Sequence, residues 1–313
     1  MKLEFLKKNL INPISKEDCA AIEPSEIVFN CGHKYETVNN IPVIIDESRS
    51  IFSVCDILEK VPTAQNSNYR KDNLKNIIRK KVLPSLSKDF GFRKRYEQLA
   101  DKFKGKKVLV VGAGDKVAFY NKTFKDSLVI TSDVHLQFNP DIVFDAHHIP
   151  FKNESFDLVL VPQVLEHTFR PWEVANELQR VTKLYGNLLI ETPFNFPYHS
   201  PPYDFFRFTF TGLRSLFPYC ALEKFEANEG SASAVATFNA QFLIDLFSNR
   251  YLRMLMLFVS RFMFGWIKYL DVFKKRTAYL SMFSPMGLSM IFKKDNLKRG
   301  DVELLNDSYK LKQ

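Results

Sequence analysis

From Val108 onward the chain repeats one pattern: a short, wholly apolar run, a small or acidic residue at its end, then a mixed stretch before the next run. Val108-Leu109-Val110-Val111, Leu128-Val129-Ile130-Thr131, Ile142-Val143-Phe144, Phe156 to Val161 and Leu188-Leu189-Ile190-Glu191 are the first five runs. Runs without polar alternation are how strands covered on both faces read, so the pattern predicts a parallel sheet with helices on either side. Pro171 suits the first turn of a helix reaching about Lys183, and Tyr185-Gly186-Asn187 a turn. Leu222 to Ala227 and Gly287 to Phe292 read as sixth and seventh strands. The fold class is therefore α/β, a doubly wound sheet.

Chemistry collects where such strands end. The first run closes on Gly112-Ala113-Gly114, a turn tight enough for a ligand to approach the backbone. Asp133 ends the second strand, 19 residues past Gly114, the spacing at which a carboxylate accepts hydrogen bonds from ribose hydroxyls. A helix N-cap is the structural alternative. Asp145-Ala146 follows the third strand, and Glu166-His167 lies just past the fourth. A GxGxxG dinucleotide fingerprint wants glycine where Val117 stands.

These five blocks in register resemble the class I S-adenosylmethionine-dependent methyltransferases, in particular the bacterial branch with a Phe-Asp-Leu-Val…Leu-Glu-His signature found with surface-glycan biosynthesis. The resemblance covers about Lys106 to Phe217. It implies a Rossmann-like, doubly wound, seven-stranded methyltransferase sheet whose last strand is antiparallel. It implies S-adenosyl-L-methionine as cofactor, lined by Gly112, Ala113 and Gly114, with its ribose on Asp133 and its adenine on Asp145 and Ala146. Two positions depart from the family. Val110 stands where an acidic residue is usual, and Asp115-Lys116 where a third glycine is. Lys116 either pairs with the cofactor's methionine carboxylate at a helix end that favours anions or crowds the pocket. Crowding would leave a non-catalytic methyltransferase-like binding or scaffold protein, which is the competing class.

The acceptor side is expected in the aromatic, proline-rich stretch from Pro193 to Thr209. A similar His…Pro-x-Asp-Phe-Phe-Arg-Phe-Thr run occurs in the methyltransferases that this chain resembles. Methyl transfer needs alignment, and a base when the acceptor is a hydroxyl. His167, His199 and Asp204 are the candidate bases. Arg207, Tyr203 and Phe206 are the candidate acceptor-binding residues, for a small-molecule or lipid-linked glycan. The structural alternative is that Asp204 and Arg207 pair to brace the loop.

The flanks add three expectations. Residues 1–50 form a small ribbon-like module. Within it, 10–46 resemble a zinc ribbon on the tail Cys31-Gly32-His33-Lys34-Tyr35, but the four ligand positions fall on Asn12, Ser15, Val28 and Cys31, so no zinc is expected. Residues 51–106 read as a basic linker and helices with breaks at Pro62 and Pro84. Residues 236–279 read as an amphipathic helical insertion between 107–235 and 280–294, and 295–313 as a polar tail. On a helical wheel Arg250, Arg253, Ser260, Arg261, Lys268 and Asp271 share one polar stripe, with Phe, Leu, Met and Trp266 filling the rest. Such a helix either packs on the protein or lies at a membrane interface.

Charge sharpens this. Residues 70–107 carry fourteen basic against four acidic residues and 241–313 thirteen against six, while 108–240 carry ten against fifteen. Basic flanks around an acidic core point to an anionic surface or to solvated helix faces. Nucleic acid is disfavoured as substrate, because Pro162-Gln163 stands where a base-flipping Pro-Pro-Tyr-type motif would be. The four scattered cysteines fit a reducing compartment, and no apolar run reaches about 18 residues. The expectation is a cytoplasmic, membrane-peripheral enzyme.

Overall fold

The computed structural model describes residues 1–61, 83, 85–273 and 277–312, so Pro62 and Pro84 lie outside the described residues. Helix α1 (Lys2–Asn9) precedes four short strands, β1 (Cys19–Ile22), β2 (Glu26–Phe29), β3 (Lys34–Val38) and β4 (Ile41–Ile44). Helix α2 (Phe92–Lys102) leads into β5 (Lys107–Val111), α3 (Val117–Thr123), β6 (Leu128–Asp133), β7 (Ile142–Phe144) and β8 (Phe156–Pro162). Then come α4 (Pro171–Val181), β9 (Thr182–Pro193), α5 (Phe210–Ser215) and β10 (Cys220–Glu229). The helical insertion is α6 (Ser231–Asp245) and α7 (Arg250–Phe264), after which come β11 (Gly287–Lys294) and α8 (Asp301–Lys310).

The described strands join one sheet in the order β1-β2-β3-β4-β7-β6-β5-β8-β9-β11-β10. The seven strands read from the sequence stand together, with β11 antiparallel to both β9 and β10. The sheet nevertheless has eleven strands rather than seven. β7 is only three residues long and would leave an open edge. β4 closes it in parallel, Val43 beside Val143 and Ile44 beside Phe144, and β1–β3 continue outward as an antiparallel meander.

Strand β5 shows why its run is apolar throughout. Val108 and Val110 face a cluster containing Tyr96, Leu99, Tyr120 and Phe124, whereas Leu109 and Val111 face the larger core on the other side. All four are at most 3% exposed. β5 also lies where the chain changes direction across the sheet, with β6 on one flank and β8 on the other. In an open α/β sheet the crevice forms at the carboxyl end of that strand.

Residues 1–50 share the larger core instead of folding apart. Phe5, Leu10, Ile27 and Phe29 belong to the same buried cluster as Phe144 and Phe156, and the Phe5 and Phe156 rings sit 5.5 Å apart, edge to face. Asn12, which the ribbon resemblance aligns with a ligand position, turns its amide oxygen onto the N–H groups of Ile14 and Ser15. Helix α2 is pinned over the sheet by Arg95, whose Nε donates to Glu191 Oε1 at 2.8 Å, while Tyr96 Oη donates to Oε2 at 2.8 Å.

Two boundaries differ from expectation. The insertion begins at Ser231 rather than Ala236, because Asp271 supplies the missing N-cap, its carboxylate accepting from the amides of Ala232 and Ser233. The segment after Lys294 is not simply a polar tail. It carries α8, docked on α5 through Leu304 and through Asp307, which accepts from Arg214 Nε at 2.7 Å. Arg214 is fully buried and also donates to the carbonyls of Phe217 and Cys220. Arg214→Ala strands those acceptors, and a loss of about 3 kcal/mol is expected. A lowered urea midpoint with an unchanged slope checks it, and an unshifted midpoint would contradict it.

Candidate functional site

At the end of β5 the backbone enters the left-handed region twice, at Gly112 (φ +71°) and Gly114 (φ +52°). A Cβ on Gly112 would lie 2.4 Å from Val164 Cγ2, so the turn requires glycine for both conformation and space. Asp115 and Lys116 follow in a single 3-10 turn, Gly114–Lys116, beyond the two glycines. The Lys116 ammonium lies 4.7 Å from the centroid of the Phe92 ring, on the wall of the crevice.

Asp133 ends β6 facing this turn. Its Oδ2 accepts from the Gly114 N–H at 2.8 Å and its Oδ1 from the His135 N–H at 3.0 Å. Each oxygen keeps a lone pair for a further donor. Burial raises its pKa, while His135 and these amides pull the other way. Asp145 is more heavily engaged than the adenine role anticipates. Its Oδ1 accepts from the His147 N–H and lies 2.6 Å from His147 Nδ1, and its Oδ2 accepts from Ser50 Oγ at 2.5 Å. Burial works to raise its pKa, but His147 and Ser50 outweigh it and hold it below the usual carboxylate value. The Asp145 side chain therefore holds the loop after β7 and ties it to the N-terminal segment, at the cavity wall.

The acceptor-side residues divide. The Arg207 Nε donates to the Phe196 carbonyl, Nη1 to Asp204 Oδ1 and the Phe206 carbonyl, and Nη2 to Asp204 Oδ2 and the Pro197 carbonyl. A guanidinium has five N–H groups, and all five are spent inside the loop. Arg207 is thus a brace rather than the acceptor ligand expected of it. Asp204, expected as a candidate base, is its partner. The Asp204 carboxylate has no exposed surface, and although burial works to raise its pKa, the Arg207 hydrogen bonds hold it low. Its Oδ2 also accepts from the His199 N–H and lies 3.2 Å from His199 Nδ1.

His167 and His199 stand edge to face with ring centroids 5.0 Å apart. Burial lowers both pKa values, so both rings are neutral at pH 7. His167 Nδ1 is hydrogen-bonded to the Tyr203 carbonyl, which can only accept. That bond puts the proton on Nδ1 and leaves Nε2 as the basic nitrogen. Tyr203 serves here through its backbone, and its ring packs against Phe52. The ring of Phe206 stacks on Phe208. Beneath the histidines, Glu166 is fully buried, its Oε1 without a hydrogen-bond partner and 3.9 Å from His167 Nε2. Burial pushes its pKa up to about 8. Glu166, His167 and His199 bring their potential ligand atoms within 4.8 Å of one another. The 3.9 Å separation exceeds the roughly 3.3 Å between ligands of a tetrahedral site with 2.0–2.1 Å bonds.

These pieces surround one cavity of ≈ 540 Å³, within the range of small-molecule sites. Gly112, Ala113, Gly114, Asp133, Asp145 and Ala146 all line it, as do His167 and His199. Asp204, Arg207, Tyr203 and Phe206 do not. The wall also takes Phe52, Ser87 and Phe92 from the segment read as a linker, where no pattern marked them. Glu191 and Glu229 line it too, and an acidic residue closing a buried apolar run was a signal for the first. The glycine turn and Asp133 line the same cavity as Phe138, Phe144 and Ala146.

Comparison with known proteins bears on the same segment. A family model described as a methyltransferase domain matches residues 105–190. The uncharacterized protein MJ0638 of Methanocaldococcus jannaschii is 38% identical over 102 residues, covering 29% of this chain and 44% of that one. The match thus spans less than half the length of that relative. Similar solved structures include an S-adenosylmethionine dependent methyltransferase from Mesorhizobium loti, at 11% identity and a TM-score of 0.41, covering 64% of this chain and 96% of that one. Coclaurine N-methyltransferase bound to N-methylheliamine and SAH gives 12% identity and a TM-score of 0.43, covering 66% and 72%. Overlaps this loose carry nothing about substrate.

Glu166 yields a test of the site's electrostatics. Between its ordinary 4.5 and about 8, the folded chain keeps a proton that the unfolded chain has released. Stability attributable to Glu166 therefore falls as pH rises through that window. Glu166→Gln removes the penalty, so its melting temperature is expected to exceed wild type by about 3 °C or more at pH 8 and to converge with it at pH 4. Equal melting temperatures at both pH values would contradict the buried-acid reading.

Proposed function

We propose that this chain, whose residues 105–190 match a methyltransferase-domain family model, uses S-adenosylmethionine to methylate a hydroxyl of a sugar on a surface glycan or its lipid-linked precursor. The observation that carries the base assignment is the tautomer of the cavity-lining His167, with Nδ1 held by the Tyr203 carbonyl and Nε2 left basic. When bound, the cofactor supplies a methyl group on an already activated sulfonium. The protein must align the acceptor and take up its proton.

Asp133 would hold the ribose hydroxyls, the Gly112–Gly114 backbone would border the cofactor, and Phe144 with Ala146 would cover the adenine. Asp145 would act mainly by fixing that loop. His167 Nε2 would take the acceptor proton. His199, oriented by Asp204, is the second candidate for that task. An acceptor with both polar and apolar faces suits a cavity lined by Phe52 and by the Phe196–His199 ring pair. A non-catalytic scaffold is the second reading, because Asp115 and Lys116 follow the two glycines and line the cavity themselves.

Calorimetry is expected to detect S-adenosylhomocysteine binding, and Asp133→Ala to weaken it by about 1.5–3 kcal/mol. Failure of the folded wild-type chain to bind at millimolar ligand would overturn the cofactor assignment.

His167→Ala is expected to lower turnover about a hundredfold or more while leaving cofactor affinity near wild type. Burial lowers the His167 pKa, so the wild-type rate should stay flat near neutrality and fall only as pH drops through a value below 6.5. Release of labelled methyl from S-adenosylmethionine into the organic phase of a membrane extract is the readout. A His167→Ala rate equal to wild type would assign the proton to another group.

A further inference from the structure

The helical pair α6–α7 is turned the opposite way from a surface helix in water. Part of the polar stripe, on and just after α7, faces the protein, while Arg250 and Arg253 are exposed. Ser260 is fully buried, Lys268 is 3% exposed and donates to the Ser85 carbonyl and, at 2.9 Å, to Ser85 Oγ, and Asp271 caps α6. Two of the four basic residues on the wheel stripe thus belong at least partly to the interior, Lys268 buried and Arg261 half-buried. Large apolar side chains point outward instead. Phe242 is 68% exposed, Phe262 63%, Trp266 58%, Met254 54% and Phe273 81%. The two helices pack on each other, and Trp266 and Phe273 follow α7 in the chain. Isolated exposed apolar residues are ordinary, but a concentration like this marks an interaction surface.

We propose that this outward face docks the protein on an anionic lipid bilayer. Three observations select that occupant. The stretch from Leu246 to Phe283 carries seven basic residues, Arg250, Arg253, Arg261, Lys268, Lys274, Lys275 and Arg276, against the single acid Asp271. That acid is committed to the α6 amides. Arg250 and Arg253 are exposed beside the apolar face, Arg253 having one exposed acidic neighbour, Asp245, at 3.4 Å. Such a rim is complementary to anionic headgroups. A second copy meeting the same face across a twofold axis would oppose like charges instead. The exposed set includes Trp266, Tyr251 and Tyr269, side chains suited to the boundary between headgroup and acyl chain. No helix among the described residues is long and apolar enough to cross a membrane, so the pair lies on the bilayer.

The face is also joined to the cavity. Helix α6 starts two residues after Glu229, which lines the cavity with Asn228, and Lys268 grips Ser85 next to the cavity residue Ser87. Docking there brings a lipid-linked acceptor to the cavity rim. The docking itself stands apart from the methyl-transfer reading and is measured without substrate.

The test is sedimentation of the full chain with vesicles of phosphatidylcholine alone, or of phosphatidylcholine mixed with phosphatidylglycerol, at low salt. Binding about tenfold tighter to the anionic vesicles is expected, lost as salt rises. Phe262→Ser with Trp266→Ser should weaken it about tenfold or more, and Arg250→Gln with Arg253→Gln should remove much of the preference for anionic lipid. Melting temperatures near wild type establish that each variant folds, as expected for substitutions at exposed positions. Wild-type chain left in the supernatant with anionic vesicles would overturn the proposal. So would a dimer in light scattering that Phe262→Ser dissociates, or a preference for an acidic protein over lipid.

Discussion

The site depends on a close approach that only glycine permits. Strand β5 must turn away from the sheet at its carboxyl end while the loop after β8 brings Val164 across it. A methyl group at Gly112 would come within 2.4 Å of Val164 Cγ2, and the positive φ would be strained as well. The turn then presents the Gly114 N–H to Asp133, so one contact sets the position of the strand end, the turn and the carboxylate together. With β5 at the reversal point of the sheet, the crevice that results is open to a ligand and backed by packed core.

The second half of the cavity is governed by desolvation. Two neutral histidines and a buried carboxyl with a pKa near 8 stand beside a guanidinium whose donors are all occupied. A loop rich in aromatic residues and proline has few backbone partners of its own, and the Arg207–Asp204 pair with four carbonyl and amide bonds supplies them. The local charge is thereby used for shape. What remains available to chemistry is an imidazole nitrogen whose tautomer is fixed by a backbone carbonyl.

Much of this was legible in the chain. The apolar runs located the strands because burial on both faces leaves no alternation, and the residue closing each run named the cavity wall. What stayed hidden was long-range. Nothing local to Ile41–Ile44 shows that it will pair with β7 about a hundred residues later. The start of α6 was missed because its cap comes from Asp271. The wheel through Arg250 to Asp271 assumed one helix, whereas α7 ends at Phe264 and Lys268 and Asp271 lie in later turns, and a wheel cannot say which face meets water. Asp204 and Arg207, three apart, carried the bracing alternative from the start. The five donors of Arg207 decided between the readings, and that needs coordinates.

The most direct test of the central claim is a crystal structure with S-adenosylhomocysteine. The account requires both ribose hydroxyls within hydrogen-bonding distance of the Asp133 carboxylate and the adenine against Phe144 and Ala146. A ligand found elsewhere, or an Asp133 that keeps only its bonds to Gly114 and His135 with ligand in the cavity, would contradict it.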